Sequence, residues 1–493
     1  MRELIKRTLL VAAGALVLLV AVLLVRTWRY AAHAEPESVV QQAGTASEPV
    51  DPAAVGRLSE AVRIPTITFS DAAPKIAEFT KLHDLIDRSY PLVHARLRRE
   101  IIDSGALLYT WRGSDTTLAP VLLMGHQDVV PIEPGTEKNW KHAPFSGDVA
   151  DGDIWGRGTL DDKAAVFGLL EAVESLLKRG VQPRRTVMFS FGHTEEGAGA
   201  AAGDAARLLE SRHVHPWFVM DEGGALGENL VPGVPGLVAV VGVAEKGYLS
   251  LRLTAHGEGG HSSMPHRESA VSILADAVGK VQRTLLPARL NGATLAMFNT
   301  LGPLMPFSRR VIMANLWLFE PMLTRMLSQL PSGNAMVRTT TAVTMMNAGI
   351  KDNVVPSAAT AVVNFRLLPG DSVAWVTSRV KAIIGDERVS VEPLGGGGRE
   401  ATGVSPDDAE GFKIIAQCIR DVFPGARVSP YLVMAGTDAQ NFYRVSPDVY
   451  RFAPIVAKNE TLSLIHGTNE RVGVQNYLTG VRFYRHLIEV ASR

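Results

Sequence analysis

Three short apolar runs, each followed at once by polar residues, constrain the fold of this chain most strongly. The runs are "APVLLM" before "GHQDVV", "TVMFSF" before "GHTEE" and "WFVM" before "DEGG", and helical stretches such as "DKAAVFGLLEAVESLLKRG" lie between them. Short, fully apolar strands that alternate with helices are typical of a mostly parallel sheet with helices on both faces. Ligands of such sheets bind beyond the carboxyl ends of the strands. We therefore predict an α/β domain whose ligand-binding site lies in these polar clusters.

The pattern changes near residue 247. "GYLSLRLTA" alternates like a half-exposed strand, and it is followed by the amphipathic helix "ESAVSILADAVGKVQRTL". Two strands, a helix and a further strand follow, which gives the β-α-β-β-α-β order of a ferredoxin-like unit. We predict a second, α+β domain at 247–398, inserted between the two parts of the first domain at 51–246 and 399–493.

The stretch Leu290 to Val337 interrupts this unit with extra helices rich in Met, Leu and Phe. Three interpretations remain open. The stretch lines a pocket, rests on a membrane, or packs under the inserted domain or in a dimer contact.

The N-terminus is predicted to lie outside the fold. Leu9 to Val25 is a run of 17 uncharged residues, near the lower limit for crossing a bilayer. The run exceeds the usual core of a signal peptide, so residues 1–30 are interpreted as an uncleaved single-pass membrane anchor that holds the folded domains outside the cytoplasm. Secretion after cleavage near "AHA" (32–34) is the alternative. Residues 31–50 are predicted to be a flexible linker.

Composition limits the partners and the metal chemistry. Lys plus Arg and Asp plus Glu number 50 each, so nothing in the charge balance indicates a nucleic-acid partner. The single cysteine, Cys418, excludes both a disulfide framework and a thiolate metal site. Any bound metal must therefore be held by His and carboxylate side chains.

Candidate ligands follow the predicted strands. Histidine and carboxylate groups suit zinc, and also cobalt or manganese. Two ions need a bridging carboxylate, and a free carboxylate beside them can serve as general base. Asp162 is better interpreted as part of a helix N-terminus. The candidates are His126, Asp128, Asp161, Glu195, Glu196, Asp221 and His466.

Taken in order, these motifs resemble the dizinc amidohydrolase and metallopeptidase family of aminoacylase, carboxypeptidase G2 and succinyl-diaminopimelate desuccinylase, with the carboxypeptidase S branch as the nearest. The resemblance implies that His126 and Asp221 bind one zinc. It implies that Glu196 and His466 bind the other. Asp161, in "GRGTLDDK", would bridge the pair.

The same resemblance implies the catalytic roles. Glu195 would be the general base, and Asp128 would orient His126. Thr194 stands where this branch leads us to expect an acid before the glutamate pair. Because the family has no metal ligand at that position, the departure would adjust the properties of the site without changing its ligand set.

The inserted α+β domain at 247–398 also resembles the lid domain of this family. His261 in "GGHSSMP" matches the histidine that helps to hold the oxyanion, and Asn353 and Arg366 match polar groups that reach the substrate. Gly436 and Thr437 in "AGTDAQN" would help to bind the substrate carboxylate. A salt bridge within the lid is the alternative for Arg366.

The expected activity is dizinc-dependent hydrolysis of the amide bond of N-acyl amino acids or of short peptides with a free carboxylate. A deacylase of another metabolite and a non-catalytic binding protein are the alternatives. A homodimer through the lid is a further expectation, and a pocket lined by the stretch 290–337 would hold the acyl chain.

Overall fold

The computed structural model describes residues 1–32, 47–69, 72–197, 200–458 and 460–493, so most of the linker predicted at 31–50 lies outside the described residues. The described strands are β1 (Arg98–Ile102), β2 (Ala106–Trp111), β3 (Val121–His126), β4 (Val149–Ala150), β5 (Asp153–Trp155), β6 (Val187–Gly192), β7 (Phe218–Asp221), β8 (Ala225–Glu228), β9 (Leu237–Glu245), β10 (Gly247–His256), β11 (Gly260–His261), β12 (Thr340–Ala348), β13 (Val354–Val355), β14 (Ala358–Leu367), β15 (Val389–Pro393), β16 (Arg427–Val433), β17 (Val449–Arg451), β18 (Val456–Ala457) and β19 (Arg471–Gly473).

The described α-helices are α1 (Arg2–Ala31), α2 (Ala53–Val62), α3 (Ile76–Ser89), α4 (Pro91–Arg96), α5 (Lys163–Lys178), α6 (Ala200–Ser211), α7 (Ala270–Arg283), α8 (Gly292–Leu301), α9 (Phe307–Ala314), α10 (Leu316–Leu327), α11 (Pro331–Val337), α12 (Val373–Ile384), α13 (Glu410–Val422), α14 (Thr461–Leu464) and α15 (Val474–Ala491). Helix α5 ends as the sequence predicts, because Gly180 just beyond it has a φ of 73°, a conformation that glycine adopts without strain.

A central sheet with the strand order β1-β2-β6-β3-β7-β17-β9-β8-β18 carries the catalytic domain, and β16 pairs with β9 off this path. The adjacent strands β6, β3, β7 and β17 run parallel to one another, whereas β2 and β9 pair antiparallel at the two sides of this group. The predicted mostly parallel α/β sheet is confirmed at this centre.

Helices cover both faces of the sheet, and this explains why its strands are apolar throughout. In β3, Val121 and Leu123 pack into the core that contains α2, α5 and α15. Leu122 and Met124 pack into a second core with α6. Because successive side chains of a strand point to opposite faces, a sheet covered twice needs apolar residues at every position.

A separate four-stranded antiparallel sheet, in the order β12-β14-β10-β15, forms the lid. Helices α7 and α12 pack on it around a core of their own. The chain order of these six elements and the sheet order are those of a ferredoxin-like fold. The inserted α+β lid is therefore confirmed, and its strands and helices lie between Gly247 and Pro393.

The stretch 290–337 forms helices α8 to α11, as predicted. They pack on the edge of the catalytic domain, where Met297, Phe298 and Leu301 share a core with Val238 and Val240 of β9. Helix α1 is long and apolar enough to cross a membrane, a property that signal sequences share.

Candidate metal centre

The candidate ligands meet beyond the carboxyl ends of three adjacent parallel strands. His126 ends β3, Glu195 and Glu196 follow β6, and Asp221 ends β7. The register pairs His126 with Gly192, so the polar residues after β6 fall beside the histidine. Asp161 arrives from the turn before α5. The sheet edge predicted from the sequence is where these side chains lie.

Asp161 lies between two histidines. Its Oδ1 is 2.9 Å from His126 Nε2, and its Oδ2 is 3.0 Å from His466 Nε2. The hydrogen bond with Asp161, and a second one with Glu196 at 3.0 Å, raise the pKa of His466 to about 10. A carboxylate whose two oxygens face two different imidazoles has the arrangement required of a bridging ligand.

Glu222, rather than Asp221, faces His126. Glu222 Oε1 is 3.5 Å from His126 Nε2, whereas Asp221 Oδ2 accepts a hydrogen bond from the Ala439 amide at 2.8 Å. Successive side chains at a strand end point to opposite sides. Asp221 shares the side of Val219, which packs with Ala439. Of this pair of acids, Glu222 and not the expected Asp221 is therefore the one that faces His126.

Asp128 organises the loops around His126. Its backbone carbonyl lies 3.0 Å from His126 Nδ1, and its Oδ1 lies 3.4 Å from the same nitrogen. The carboxylate also accepts hydrogen bonds from the amides of Glu195 at 3.2 Å and Glu196 at 3.0 Å. Asp128 thus leaves Nε2 of His126 as the nitrogen that faces Asp161, as expected of a group that orients a ligand.

Two further side chains of these loops have local roles. Asp162 directly precedes α5, and its Oδ2 accepts a hydrogen bond from the His126 amide at 3.3 Å. Gly125 allows this approach, because a Cβ there would come within 2.9 Å of the same oxygen. Thr194 accepts a hydrogen bond from the Ala201 amide at 3.2 Å, so this departure from the expected acid serves the start of α6.

The cluster holds more buried carboxylates than cations. Burial and the neighbouring Asp161 raise the pKa of Glu222 to about 8. Burial also raises the pKa of Glu195 well above its usual value, with Glu222 and Asp438 adding to the effect. Cations placed among these groups would keep them ionised. His126, Asp161 and Glu196 have ligand atoms within 4.8 Å of one another, as have His126, Asp162 and Glu222, so the donor set fits divalent metal ions.

The lid residues expected to bind substrate divide into two groups. The guanidinium of Arg366 stacks 4.9 Å from the ring centroid of Tyr248. This contact is with an aromatic ring and not with the carboxylate that the alternative, a salt bridge within the lid, requires. His261 pairs in register with Val354, next to Asn353, on the two-stranded ribbon β11-β13. The only hydrogen bonds of the His261 ring among the described residues are with Ser263. The structure therefore does not bring His261 into contact with the carboxylate cluster.

Gly436 and Thr437 lie beside the catalytic strands. The amide and the hydroxyl of Thr437 both donate to Glu245, at 3.0 and 2.6 Å. Arg451 donates to the same carboxylate at 2.5 Å. Both hydrogen-bond donors of Thr437 are thus used within the protein. Gly436 lies against Arg399, because a Cβ at this position would overlap the Arg399 guanidinium.

Arg399 is a residue that motif reading missed. In the part of the chain that the structure describes, no side chain or carbonyl accepts a hydrogen bond from its guanidinium. Desolvation in the cleft lowers its pKa, Arg366 lowers it further, and Glu245 and Glu195 oppose this. The cation therefore stands near both the lid arginine and Glu195. Its place after the glycine run 395–398, at the return from the lid, is the signal in the sequence that could have identified it.

The fold and the cluster define a metal-dependent hydrolase with a lid domain. The model of peptidase family M20/M25/M40 matches residues 122–490, and the chain belongs to this family of peptidases and amidohydrolases.

Two relatives and one solved structure illustrate the similarity. N-fatty-acyl-amino acid synthase/hydrolase PM20D1 of Xenopus tropicalis is 40% identical over 96% of this chain and 93% of its own. Carboxypeptidase S of Saccharomyces cerevisiae is 30% identical over 88% of this chain and 84% of its own. The M20 family metallo-carboxypeptidase Sso-CP2 of Sulfolobus solfataricus has the same fold, with a TM-score of 0.64 and 18% identity, covering 88% of this chain and 98% of that one.

Proposed function

We propose that the protein uses two zinc ions to hydrolyse the amide bond of N-acyl amino acids, or of short peptides with a free carboxylate. The observation that carries the proposal is Asp161, whose two oxygens face His126 at 2.9 Å and His466 at 3.0 Å. His126 and Glu222 would complete one site, and Glu196 and His466 the other. Cobalt or manganese would suit the same oxygen and nitrogen donors.

The reaction needs a base beside the ions. When bound, the cations would supply the positive charge that polarises the scissile carbonyl and acidifies a water molecule. Glu195 is assigned as the general base. Its side chain forms no hydrogen bond with the described residues, and burial raises its pKa. It takes the proton of the attacking water and passes it to the nitrogen of the leaving amine.

The substrate carboxylate is assigned to Arg366 and Arg399. Both are cations without a carboxylate partner among the described residues, and they lie near each other, since the charge of Arg366 helps to lower the pKa of Arg399. A guanidinium binds a carboxylate through two parallel hydrogen bonds. The names of the relatives, an N-fatty-acyl-amino acid synthase/hydrolase and a carboxypeptidase, support a substrate with such a group.

His261 and Asn353 are assigned to the substrate oxyanion and its surroundings. They lie on an exposed ribbon of the lid, so they would act after the lid closes or across a dimer. Exposed Met345 and Met346 on β12, an edge strand of the lid sheet, support a homodimer through this domain. Apolar side chains on an edge strand are normally covered.

Helix α1 is proposed to remain attached as a membrane anchor, with the catalytic domain outside the cytoplasm. The Tyr30 hydroxyl donates to the Phe298 carbonyl at 2.5 Å, and Thr27 of α1 is buried. Such contacts with the folded body are not needed by a segment that is cleaved off.

Two variants test the mechanism. Glu195→Gln keeps the shape of the side chain and removes the base, so turnover should fall at least about 100-fold, as expected for loss of a general base, while two metal ions per chain remain. Glu196→Gln, the matched control one residue away, should lose metal as well as activity. The proposal fails if Glu195→Gln keeps ordinary activity, or if the wild-type protein holds no metal.

A substrate panel tests the specificity. Acetyl and long-chain N-acyl amino acids are compared with dipeptides by kcat/KM, and failure on all of them would favour a deacylase of another metabolite. Equal kcat/KM for short and long acyl chains would exclude an acyl pocket in the stretch 290–337.

A further inference from the structure

The last turns of α1 dock on the helical insertion through one face. Asn315 Nδ2 donates to Leu23 O and to Thr27 Oγ1, both at 3.3 Å. Arg26 Nε donates to Ala314 O at 3.3 Å, and Tyr30 reaches α8. These four α1 positions follow the i, i+3, i+4, i+7 spacing of a single helix face. The insertion is thus attached to the apolar helix by specific polar contacts.

These contacts fix the level of the insertion relative to a bilayer. The uncharged run of 17 residues from Leu9 to Val25, at 1.5 Å per residue, spans about 26 Å, close to the thickness of a hydrocarbon core. The docked residues lie at the end of this run and in the turns beyond it. Helices α9 and α10 therefore stand where α1 leaves the hydrocarbon.

The outer side of these helices is apolar and exposed. Leu318, Met322 and Met326 recur every four residues along α10 and so form one stripe. Leu323 and Met313 point inward to the core shared with α8. We call the exposed set the apolar platform, and it consists of Phe307, Trp317, Leu318, Met322, Met326 and Leu330.

The charges around the platform suit lipid headgroups. Residues 302–337 contain Arg309, Arg310 and Arg325 but only one acid, Glu320. Arg26 and Arg29 follow the apolar run of α1. Arginines beside aromatic and aliphatic side chains are typical of helices that lie in the interface of a membrane.

We infer that the apolar platform rests in the interface of the same bilayer that α1 crosses. The catalytic body is then held to the membrane by two attachments and keeps one orientation instead of swinging on a tether. This inference rests on the retention of α1 and not on the identity of the substrate. The occupant is the lipid surface, because the platform is continuous with a helix that itself requires lipid.

Site-specific labelling tests the inference on the full chain. The native thiol Cys418 is buried, so an introduced surface cysteine is the one accessible to an environment-sensitive fluorophore. Met326→Cys labels the platform, and Val271→Cys labels α7 of the lid, away from the strand proposed for the dimer; Val271 and the platform residue Met322 are each 42% exposed and so are matched. Met322→Cys provides a second platform position. Each labelled protein is reconstituted into vesicles of mixed neutral and anionic phospholipid, with or without quenchers attached to the acyl chains.

The expected result is several-fold stronger quenching of both platform labels than of the lid label by the lipid-borne quencher, with a blue-shifted emission. Equal quenching at platform and lid would overturn the inference. Protection of the platform labels from aqueous iodide without quenching from the lipid would also overturn it, because protein would then cover the platform. Hydrolysis by each labelled protein serves as the check of folding.

Discussion

Two neighbouring acids, Asp221 and Glu222, give the sharpest test of the metal centre. Glu222 faces His126 at 3.5 Å, whereas Asp221 accepts from the Ala439 amide at 2.8 Å. Glu222→Gln should therefore weaken metal binding strongly. Asp221→Asn should leave metal binding close to normal, because the amide oxygen of Asn can still accept the hydrogen bond from Ala439.

The expected magnitudes differ widely. A pair of unit charges about 4 Å apart at an effective dielectric of 20 interacts by about 4 kcal/mol. Loss of the Glu222 charge should therefore weaken the affinity of the nearer ion by roughly 1000-fold, at about 1.4 kcal/mol for each factor of ten. Exchange of a charge-assisted hydrogen bond for a neutral one at Asp221 should cost about 1 kcal/mol of folding stability.

Metal content after dialysis against graded chelator, measured by atomic emission, is the assay. Glu222→Gln should retain about one ion per chain at a chelator concentration where the wild-type protein and Asp221→Asn retain two. Circular dichroism of both variants establishes that they are folded. The opposite ranking, with Asp221→Asn losing the ion and Glu222→Gln keeping it, would refute the argument from strand direction.

Three further outcomes are expected. Arg399→Gln should raise KM for carboxylate substrates roughly 10-fold or more, as loss of a charged hydrogen bond implies, but should leave KM for the corresponding carboxamides unchanged. Arg379→Gln, at an exposed position, serves as the control. An equal effect on carboxylate and carboxamide substrates would contradict the assignment. Arg451→Met leaves Glu245 buried without its cation and should lower the free energy of unfolding by about 3 kcal/mol or more, and a loss below 1 kcal/mol in urea titrations would argue against it. Burial lowers the pKa of Lys246 to about 7 from its usual 10.5. Between these two pH values the unfolded chain binds more protons than the folded one, so the free energy of unfolding should rise with pH, by up to about 1.4 kcal/mol per pH unit. Lys246→Met should flatten this rise, and the same slope of stability against pH in the variant and the wild-type protein would count against the shift.

The sequence determined the architecture because its signals are local. Apolar runs without polar positions require burial on both faces, and β3, β6 and β7 are buried in this way. The lid followed from the order of six periodic segments. Helix ends were also encoded locally, as Gly180 after α5 illustrates.

The tertiary structure decided which of two adjacent acids faces the metal centre. In the sequence Asp221 and Glu222 are equivalent candidates, and only the packing of Val219 against Ala439 sets the side to which each points. Arg399 likewise follows a glycine run without any motif, and its position against Gly436 depends on how the lid returns to the catalytic domain.

The apolar insertion shows the same division. Its composition predicted helices but left a pocket, a membrane contact and plain packing equally open. The docking of α1 through Leu23, Arg26, Thr27 and Tyr30 is a contact between residues nearly 300 positions apart. Local sequence specifies which segments are apolar and how they coil, whereas the direction that each side chain faces depends on distant partners, and these are brought together only by the folded chain.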